Sequence, residues 1–346
     1  MNFNSTLTSW YSVNKRNLPW RNSKDPYNIW LSEIILQQTQ IKQGQPYYEA
    51  FLANFPTVHA LAEASETAVL NLWQGLGYYS RARNLHFSAK YIAETLNGEF
   101  PKNYKSLLDL KGVGDYTASA IASICYEEPV AVVDGNVYRV LARYFGIDTP
   151  INSTEGVKKF KKLAESLLPL SNFGDYNQAI MEFGSQQCKP QSPNCKLCPL
   201  ISSCKAYTTG SIKALPVKLK KTKVTKKYFN FLVIDSDDHK TYLEQRTENG
   251  IWQQLYQFPL IETPCSVSEK EFLTHLKKSN KINIPYEKLT LFNSSDIIHK
   301  LSHQLLHVKF WVLQTKNSPR NAVKWSDVTS YPVPAVIERF INNFLI

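Results

Sequence analysis

The chain carries a glutamate in a setting that suits a general acid. Asp25 and Pro26 predict the start of a helix over residues 27–43, because a carboxylate caps the first amides and proline fits the first turn. Glu33 lies inside this helix, and burial beside its neighbours should raise the pKa of its carboxyl group. Three of the residues one turn away are large and apolar, namely Ile29, Trp30 and Leu36. The alternative is a helix glutamate that faces solvent.

A second carboxylate follows a turn that can bind an anion. Residues 102–110 and 116–126 predict two short helices, joined through Gly112 and Gly114, which allow backbone angles that a β-carbon would penalise. Amides at such a helix start can bind an anion. A DNA phosphate is the natural candidate, because backbone amides do not recognise individual bases. The alternative is a plain turn between helices. Asp134 follows at a fixed offset and begins the next helix, where a helix cap and a chemical role are compatible.

Four of the six cysteines form the most specific metal-binding pattern in the chain. They fall within residues 188–204 in the spacing Cys-x6-Cys-x2-Cys-x5-Cys, at Cys188, Cys195, Cys198 and Cys204. In a cytoplasmic chain with reduced thiols, such a group favours metal binding over disulfides. A zinc ribbon more often shows two separated Cys-x2-Cys pairs, and thiolates equally suit an iron–sulfur cluster.

Residues 110–134, LKGVGDYTASAIASICYEEPVAVVD, resemble the helix-hairpin-helix and following aspartate of the endonuclease III superfamily of DNA glycosylases. Within it, the adenine DNA glycosylases (MutY family) are the nearest match, because residues 32–41, SEIILQQTQI, are similar to their catalytic helix. The cysteine spacing matches the 4Fe-4S motif of the superfamily. The resemblance implies a mainly α N-terminal part with the helix-hairpin-helix glycosylase fold and an iron–sulfur loop.

The resemblance also implies residue roles. Glu33 protonates N7 of the leaving adenine, and Asp134 stabilises the sugar cation or a covalent intermediate. Tyr78 lies in a glycine-rich turn and aligns with a wedge that fills the gap left by an extruded nucleotide, whereas Tyr79 is expected to pack in the core. The other residues assigned to the DNA or the flipped base are Arg16, Trp20, Arg21, Leu36, Gln38, Gly112, Gly114, Tyr116 and Gln178.

Tyr116 also bears on the type of reaction. In bifunctional relatives, a lysine two residues after the last hairpin glycine attacks the sugar and forms a Schiff base. The phenol of Tyr116 cannot form an imine, so the resemblance implies a monofunctional enzyme that leaves the DNA strand intact.

The last third of the chain changes to a strand pattern. Residues 228–235 and 240–245 predict a hairpin, and residues 307–314 predict a further strand. Ser268 and Glu271 form a capping-box pattern that opens a helix to about residue 278. This order predicts an α+β domain.

The same region resembles the MutT/Nudix-like C-terminal domain of the adenine glycosylases, notably over residues 250–259. The Nudix hydrolase box is missing, so the resemblance implies a binding domain without pyrophosphatase chemistry. Ser302 and His303 match the segment by which the family recognises 8-oxoguanine, although Leu301 replaces its phenylalanine.

Charge and length agree with a DNA-binding protein of several domains. The net charge is +11, and residues 1–227 hold 27 Lys and Arg against 17 Asp and Glu, whereas residues 228–346 hold 13 against 12. A localised basic excess indicates a polyanionic partner. Arg139 and Arg143, one turn apart, are candidate phosphate contacts or surface charges. We predict a glycosylase domain over residues 1–210, a basic linker over 211–227 and a lesion-recognition domain over 228–346.

No apolar run reaches membrane-spanning length, and the N-terminus shows no signal-peptide pattern. We therefore expect a cytoplasmic, nucleoid-associated monomer without a membrane partner. Its expected substrate is double-stranded DNA with 8-oxoguanine:A or G:A mispairs. The rivals are a thymine or uracil glycosylase or an endonuclease III on the same scaffold, and a DNA-binding iron–sulfur protein without catalysis. Glu33 argues against both, because pyrimidine enzymes need no acid at a purine N7.

Overall fold

The structure is a computed structural model that describes residues 3–219, 224–279, 281 and 284–345. Within these ranges, no helix combines the length and apolar composition that crossing a membrane requires. The chain forms two compact units. Residues 1–63 and 84–220 make up the first, and residues 64–83 and 221–346 make up the second. Residues 64–83 therefore fold with the C-terminal part, while the domain boundaries inferred from the sequence stay a prediction.

Fourteen α-helices occur in the described residues. They are Phe3–Asn14 (α1), Pro26–Leu36 (α2), Ile41–Asn54 (α3), Val58–Glu63 (α4), Glu66–Leu72 (α5), Ser80–Thr95 (α6), Tyr104–Leu107 (α7), Asp115–Tyr126 (α8), Gly135–Phe145 (α9), Thr154–Ser166 (α10), Phe173–Gln186 (α11), Lys205–Thr208 (α12), Glu269–Ser279 (α13) and Ala335–Phe344 (α14).

Helices α8, α9 and α11 form the centre of the first unit. Helix α8 is buried from Thr117 to Ile124 and carries small side chains such as Ala118, Ala120 and Ala122, which let neighbouring helices approach closely. A β-carbon on Gly184 of α11 would lie 2.8 Å from the carbonyl oxygen of Asn136, so α11 packs directly on the start of α9. This packing brings the ends of three helices to one place, where the candidate site lies.

The helices predicted in the first unit are present, but one is divided in two and some boundaries differ. The helix predicted over residues 27–43 is two helices, because α2 ends at Leu36 and α3 begins at Ile41. Gln38 between them has a φ of +57°, which a continuous helix does not allow. The two hairpin helices are present as α7 and α8, with α7 shorter than predicted.

The second unit contains a five-stranded mixed sheet in the described residues. Strand β1 pairs antiparallel with β5 and parallel with β8, and β8 pairs antiparallel with β6 and β7. Two short pairs, β2 with β9 and β3 with β4, lie outside this sheet. The strands are Thr225–Ser236 (β1), Lys240–Thr241 (β2), Glu244–Gln245 (β3), Tyr256–Gln257 (β4), Leu260–Thr263 (β5), Lys288–Leu291 (β6), Ile297–Lys300 (β7), Gln304–Thr315 (β8) and Val323–Lys324 (β9).

Side-chain alternation along β8 packs one helix on each face of this sheet. Trp311 stacks on Phe272 of α13 with ring centroids 4.4 Å apart, and the adjacent Phe310 stacks on Phe340 of α14 at 4.2 Å. The capping box of α13 is confirmed, because the Ser268 amide donates to the Glu271 carboxylate at 2.7 Å. The mixed α+β architecture predicted for this part of the chain is therefore present.

The predicted hairpin over residues 228–245 is wrong in its pairing. A turn does follow β1, since the His239 amide donates to the Ser236 carbonyl at 2.9 Å. The residues after the turn, however, pair with β9 and β4 instead of with β1. The neighbours of β1 are β5 and β8, both distant in sequence.

Candidate active site

Glu33 lies on α2, and its side chain is close to α8. The Asp25 carboxylate caps α2 by accepting hydrogen bonds from the amides of Tyr27 at 2.7 Å and Asn28 at 3.4 Å, as the sequence predicts. Glu33 lies two turns further on and is half-buried. The Tyr116 hydroxyl on α8 donates to Met181 Sδ at 3.6 Å, and it is also close enough to the Glu33 carboxyl group to lower the pKa of that group by hydrogen bonding. Two helices thus fix the position of this carboxyl group.

Burial raises the pKa of Glu33 to about 7 from its ordinary 4.5. The hydrogen bond from Tyr116 and the charge of Arg21 act in the opposite direction, and the negative charge of Asp134 adds to the rise. A carboxyl group with this pKa is protonated in about half of the molecules at neutral pH. Glu33 can therefore donate a proton to a leaving group under ordinary conditions.

Asp134 caps α9 through one oxygen and presents a fixed carboxylate. Its Oδ1 accepts from the amides of Asn136 at 2.8 Å and Val137 at 2.7 Å, while its Oδ2 accepts from Asn136 Nδ2 at 2.6 Å. Burial raises the pKa of Asp134, and these hydrogen bonds and the charge of Arg139 oppose the rise. Asp134 is close enough to Glu33 and Tyr116 for its charge to raise the pKa of both. The structure thus brings the two predicted catalytic carboxylates together.

The interpretation of Arg139 and Arg143 as phosphate contacts or surface charges is wrong. Arg139 donates to the Cys188 carbonyl at 2.7 Å and to Asn136 Oδ1 at 2.8 Å. Arg143 is only 3% exposed, and it donates to the Lys189 carbonyl at 2.7 Å and to Cys188 Sγ at 3.5 Å. Both guanidinium groups serve to hold the start of the cysteine loop against α9.

Glu182 on α11 is part of the site and was missed at the sequence level. It is 2% exposed and accepts hydrogen bonds from Arg16 Nε at 2.7 Å, Arg21 Nη2 at 2.8 Å and Gln186 Nε2 at 2.6 Å. Burial alone would raise the pKa of Glu182, but the hydrogen bonds from Arg16 and Arg21 outweigh it and lower the pKa to about 2. The sequence signal is a lone carboxylate within the apolar run at residues 179–183.

This ionic group places two of the predicted base contacts. Arg16 and Arg21 are oriented by Glu182, and the Arg21 guanidinium also lies 5.6 Å from the centroid of the Tyr11 ring. The Tyr11 hydroxyl donates to Gln178 Oε1 at 3.5 Å. Arg16, Arg21 and Gln178 therefore belong to one connected group beside Glu33.

Three other residues that were predicted to contact the DNA or the flipped base are Trp20, which precedes α2, and Leu36 and Gln38, which lie at its end. Trp20 is buried, and its ring meets that of Tyr48 edge-on at 5.2 Å, so most of its surface packs within the unit. Leu36 is the last residue of α2 and is half-buried, whereas Gln38 is exposed in the break between α2 and α3. The backbone break therefore turns Gln38 away from the α2 helix line and toward solvent.

The helix-hairpin-helix is present, with unequal roles for its glycines. Gly112 has a φ of +85°, and a β-carbon there would lie 2.8 Å from Asn84 Cβ, so the turn requires glycine. Gly114 has an ordinary φ of −102° and open space around its Cα. The expectation that both glycines adopt angles closed to other residues is thus wrong for Gly114. Open space there leaves room for a ligand to approach the start of α8.

In the second unit, the structure brings the predicted wedge and the predicted lesion reader together. Tyr78 has a φ of +49° and is 48% exposed, and its hydroxyl lies 2.7 Å from Ser302 Oγ. His303 follows in the turn between β7 and β8, where its carbonyl accepts from the Thr225 amide at 3.1 Å. Tyr79 is buried and donates to a backbone carbonyl, which confirms its predicted core position.

The four motif cysteines line one small cavity in the loop between α11 and α12. Among the described residues, no three His, Cys, Asp or Glu side chains converge closely enough to hold a single metal ion. Four cysteine sulfur atoms around one cavity are a ligand set that suits an iron–sulfur cluster. Burial raises the pKa of the Cys198 thiol to about 11, so a metal that bound this sulfur would have to displace the thiol proton.

Two family models match this chain. That of the HhH-GPD superfamily base excision DNA repair proteins matches residues 31–168, and that of the NUDIX domain matches residues 230–343. The first range contains the hairpin, Glu33 and Asp134, and the second contains the mixed sheet. The predicted fold class is therefore confirmed in both parts.

Relatives of known type cover most of the chain. The adenine DNA glycosylase of Buchnera aphidicola subsp. Schizaphis graminum (strain Sg) is 38% identical over 309 residues, covering 88% of this chain and 86% of the relative. That of Buchnera aphidicola subsp. Baizongia pistaciae (strain Bp) is 36% identical over 321 residues, covering 91% and 87%. Among solved structures, a thermostable thymine-DNA glycosylase is 30% identical with a TM-score of 0.56, covering 60% of this chain and 95% of its own.

Proposed function

The chain belongs to the adenine DNA glycosylase family of base excision repair enzymes, and we propose that it hydrolyses the N-glycosidic bond of adenine mispaired with 8-oxoguanine or guanine. The observation that carries this proposal is the Glu33 carboxyl group, whose pKa of about 7 leaves it able to protonate a purine at neutral pH. The closeness of Glu33 to Tyr116 and Asp134 supports this assignment, with Glu33 as the acid and Asp134 as the counter-charge.

Glu33 acts first in the proposed reaction. It transfers its proton to N7 of the flipped adenine, and the base then leaves with the electron pair of the C1′–N9 bond. The resulting Glu33 carboxylate keeps the hydrogen bond from Tyr116, which stabilises the negative charge as it forms. Arg21 adds a positive charge on the same side. Proton transfer from a positioned group contributes about 10²- to 10⁴-fold to such rates.

Asp134 acts on the sugar. Loss of the base leaves a positive charge on C1′ and O4′, and the fixed Asp134 carboxylate stabilises it directly or through a transient covalent bond. Because the helix amides of Asn136 and Val137 hold Oδ1, the carboxylate needs no reorganisation as the charge develops. Water then adds at C1′ and releases a proton, which the Glu33 carboxylate can accept, and the abasic site is formed. Tyr116 offers no amine near the sugar, so the strand remains intact.

A panel of synthetic duplexes tests this function. Each duplex carries A, T or U opposite 8-oxoguanine or guanine, and single-turnover cleavage is followed after alkali treatment. We expect excision of adenine only, with no strand nicking before alkali and no covalent trapping by borohydride. Removal of T or U, or efficient trapping, would assign the site to another glycosylase class on this scaffold.

We further propose that Cys188, Cys195, Cys198 and Cys204 hold a 4Fe-4S cluster. When bound, it supplies a rigid cross-link of the loop through four thiolate bonds, and base hydrolysis itself needs no electron transfer. The chain contributes the Arg139 and Arg143 contacts that anchor this loop to α9, the helix that Asp134 caps. The cavity that the four sulfur atoms line supports this ligand set.

Purified protein should be straw-brown and contain about four irons per chain. Cys195→Ser should lower the iron content and the melting temperature, because it removes one thiolate ligand. Cys265→Ser is the matched control, since Cys265 is exposed and lies outside the motif. Iron and zinc are measured by elemental analysis after anaerobic purification. One zinc per chain without iron would overturn the cluster proposal.

Ser302 and His303 are proposed to recognise 8-oxoguanine. Ser302→Ala combined with His303→Ala should reduce the preference for 8-oxoguanine:A over G:A by about ten-fold, because hydrogen bonds to the lesion are lost. Single-turnover rates on both duplexes give the ratio. Ser295→Ala with His275→Ala is the control in the same unit. An unchanged ratio in the first double variant would mean that this turn reads something else.

A further inference from the structure

The tip of the hairpin carries a cation that the proposed function has not used. Lys111 directly precedes Gly112 and is exposed. It takes part in no ion pair among the residues that the structure describes. Asp115, at the start of α8, is paired with Lys161 at 3.0 Å. The Lys111 charge is therefore available to an external anion.

One face of α6 holds this part of the hairpin at three points. Ser88 Oγ donates to the Lys111 carbonyl at 2.9 Å, and Asn84 lies directly against Gly112. The Lys111 ammonium lies 4.4 Å from the centroid of the Phe87 ring, within cation–π range. Asn84, Phe87 and Ser88 are spaced so that they share one helix face. Backbone and side chain of Lys111 are thus positioned by the same helix.

Phe87 has no packing reason to be aromatic. Its side chain is 56% exposed, so the ring buries little apolar surface. A leucine would serve as well for that amount of burial, whereas only an aromatic ring attracts an ammonium group to its face. A free lysine side chain has many rotamers, and part of this rotamer entropy is lost on binding unless the group is already ordered.

We propose that Lys111 is a DNA-phosphate contact at the hairpin tip and that Phe87 is the residue that positions its ammonium group. This inference rests on the proposed DNA-binding function of the hairpin and assigns a residue pair to it. The ring restrains Lys111 on one side and leaves its other side open to solvent. A phosphate that approaches the Gly112–Gly114 turn meets a cation that is already oriented.

Equilibrium binding to an undamaged duplex at several salt concentrations tests the Lys111 contact. Lys111→Gln should reduce the slope of log affinity against log salt by about 0.9, the loss of one phosphate contact. Lys90→Gln is the control, an exposed lysine on α6 outside the contact. Because binding to undamaged DNA needs no excision, failure here is distinct from failure of the glycosylase assay. An unchanged slope in Lys111→Gln would overturn the proposal.

A double-mutant cycle tests the role of Phe87. Phe87→Leu should weaken binding about two- to five-fold with the salt slope unchanged, because the cation remains but is no longer oriented. In the Lys111→Gln background, the same change should have no effect. Tyr91→Leu, one turn further along α6, is the matched control. An equal loss from Phe87→Leu in both backgrounds would mean that the ring binds a partner by itself, and the positioning role would be rejected.

Discussion

Glu33→Gln should abolish adenine excision while duplex binding stays within a few-fold of the unmodified protein. The amide keeps the size of the side chain and can still accept the hydrogen bond from Tyr116, but it has no proton to give. Loss of a general acid costs at least about 10²- to 10⁴-fold in rate. Single-turnover excision and a binding assay on the same duplex measure the two effects. Excision near the unmodified rate would remove Glu33 from the mechanism.

The pH dependence of excision should reflect the ionisation of Glu33. Only the protonated form of Glu33 can act as the acid, so the single-turnover rate should fall as pH rises through about 7. Asp134 must be ionised to oppose the sugar cation, so protonation of Asp134 should lower the rate at acid pH. A rate that stays level from pH 6 to about 9 would contradict the assignment of Glu33 as the acid.

Stability gives a second readout for Glu33 that is independent of catalysis. Its folded-state pKa is raised from 4.5 to about 7, so its favourable contribution is complete below 4.5 and is lost as pH rises through 7. At pH 8, the free energy of unfolding of Glu33→Gln should therefore exceed that of the unmodified protein by on the order of 2–3 kcal/mol. Glu99→Gln, at an exposed position, is the control. Denaturant unfolding at pH 5 and pH 8 measures the difference.

The sequence identified Glu33 because the relevant physics is local. The apolar residues one turn away from it lie in the same helix, so the spacing favours burial of Glu33, and the resemblance to the catalytic helix decided against a solvent-facing position. The ionised state of Glu182 cannot be predicted in this way, because it depends on Arg16 and Arg21, which are distant from Glu182 in the sequence. A pattern search shows a carboxylate within an apolar run but not the two cations that ionise it.

The helix break at Gln38 shows the limit of periodicity. Apolar residues at Ile34, Ile35 and Ile41 fit one long helix, but they fit equally well two helices that bury the same side. The positive φ of Gln38 decides between these arrangements, and no residue type there demands it. Strand pairing in the second unit is hidden for a similar reason, since β1 pairs with the distant β8.

The arginines of α9 illustrate how tertiary contacts override a surface interpretation. Arg139 and Arg143 recur one turn apart, a spacing that is typical of an exposed basic face. Their partners are backbone carbonyls of the cysteine loop, which no local pattern places beside α9. These carbonyl groups would otherwise be buried without a hydrogen-bond donor. The guanidinium groups of Arg139 and Arg143 supply the donors, which explains why these charged groups lie in the interior.

Asp134→Asn should reduce excision by several orders of magnitude with little change in folding. Asparagine caps helices about as well as aspartate, so the hydrogen bonds from the Asn136 and Val137 amides can persist. The negative charge that opposes the sugar cation is lost, and electrostatic groups of this kind carry a large share of catalysis. Asp25→Asn is the matched control, because Asp25 caps α2 in the same manner.

The charge of Asp134 can be separated from its capping role by a third measurement. Asp134→Ala loses both, so it should also lower stability by about 1 kcal/mol, whereas Asp134→Asn should not. A fall of only a few-fold in the excision rate of Asp134→Asn would leave Asp134 as a helix cap alone. The pH profile of the residual activity of Asp134→Asn gives a further test. Because the Asp134 charge raises the pKa of Glu33, its removal should move the alkaline limb of the rate profile to lower pH. A limb that does not move would mean that the two carboxyl groups are not coupled and that burial accounts for the raised pKa of Glu33 without Asp134.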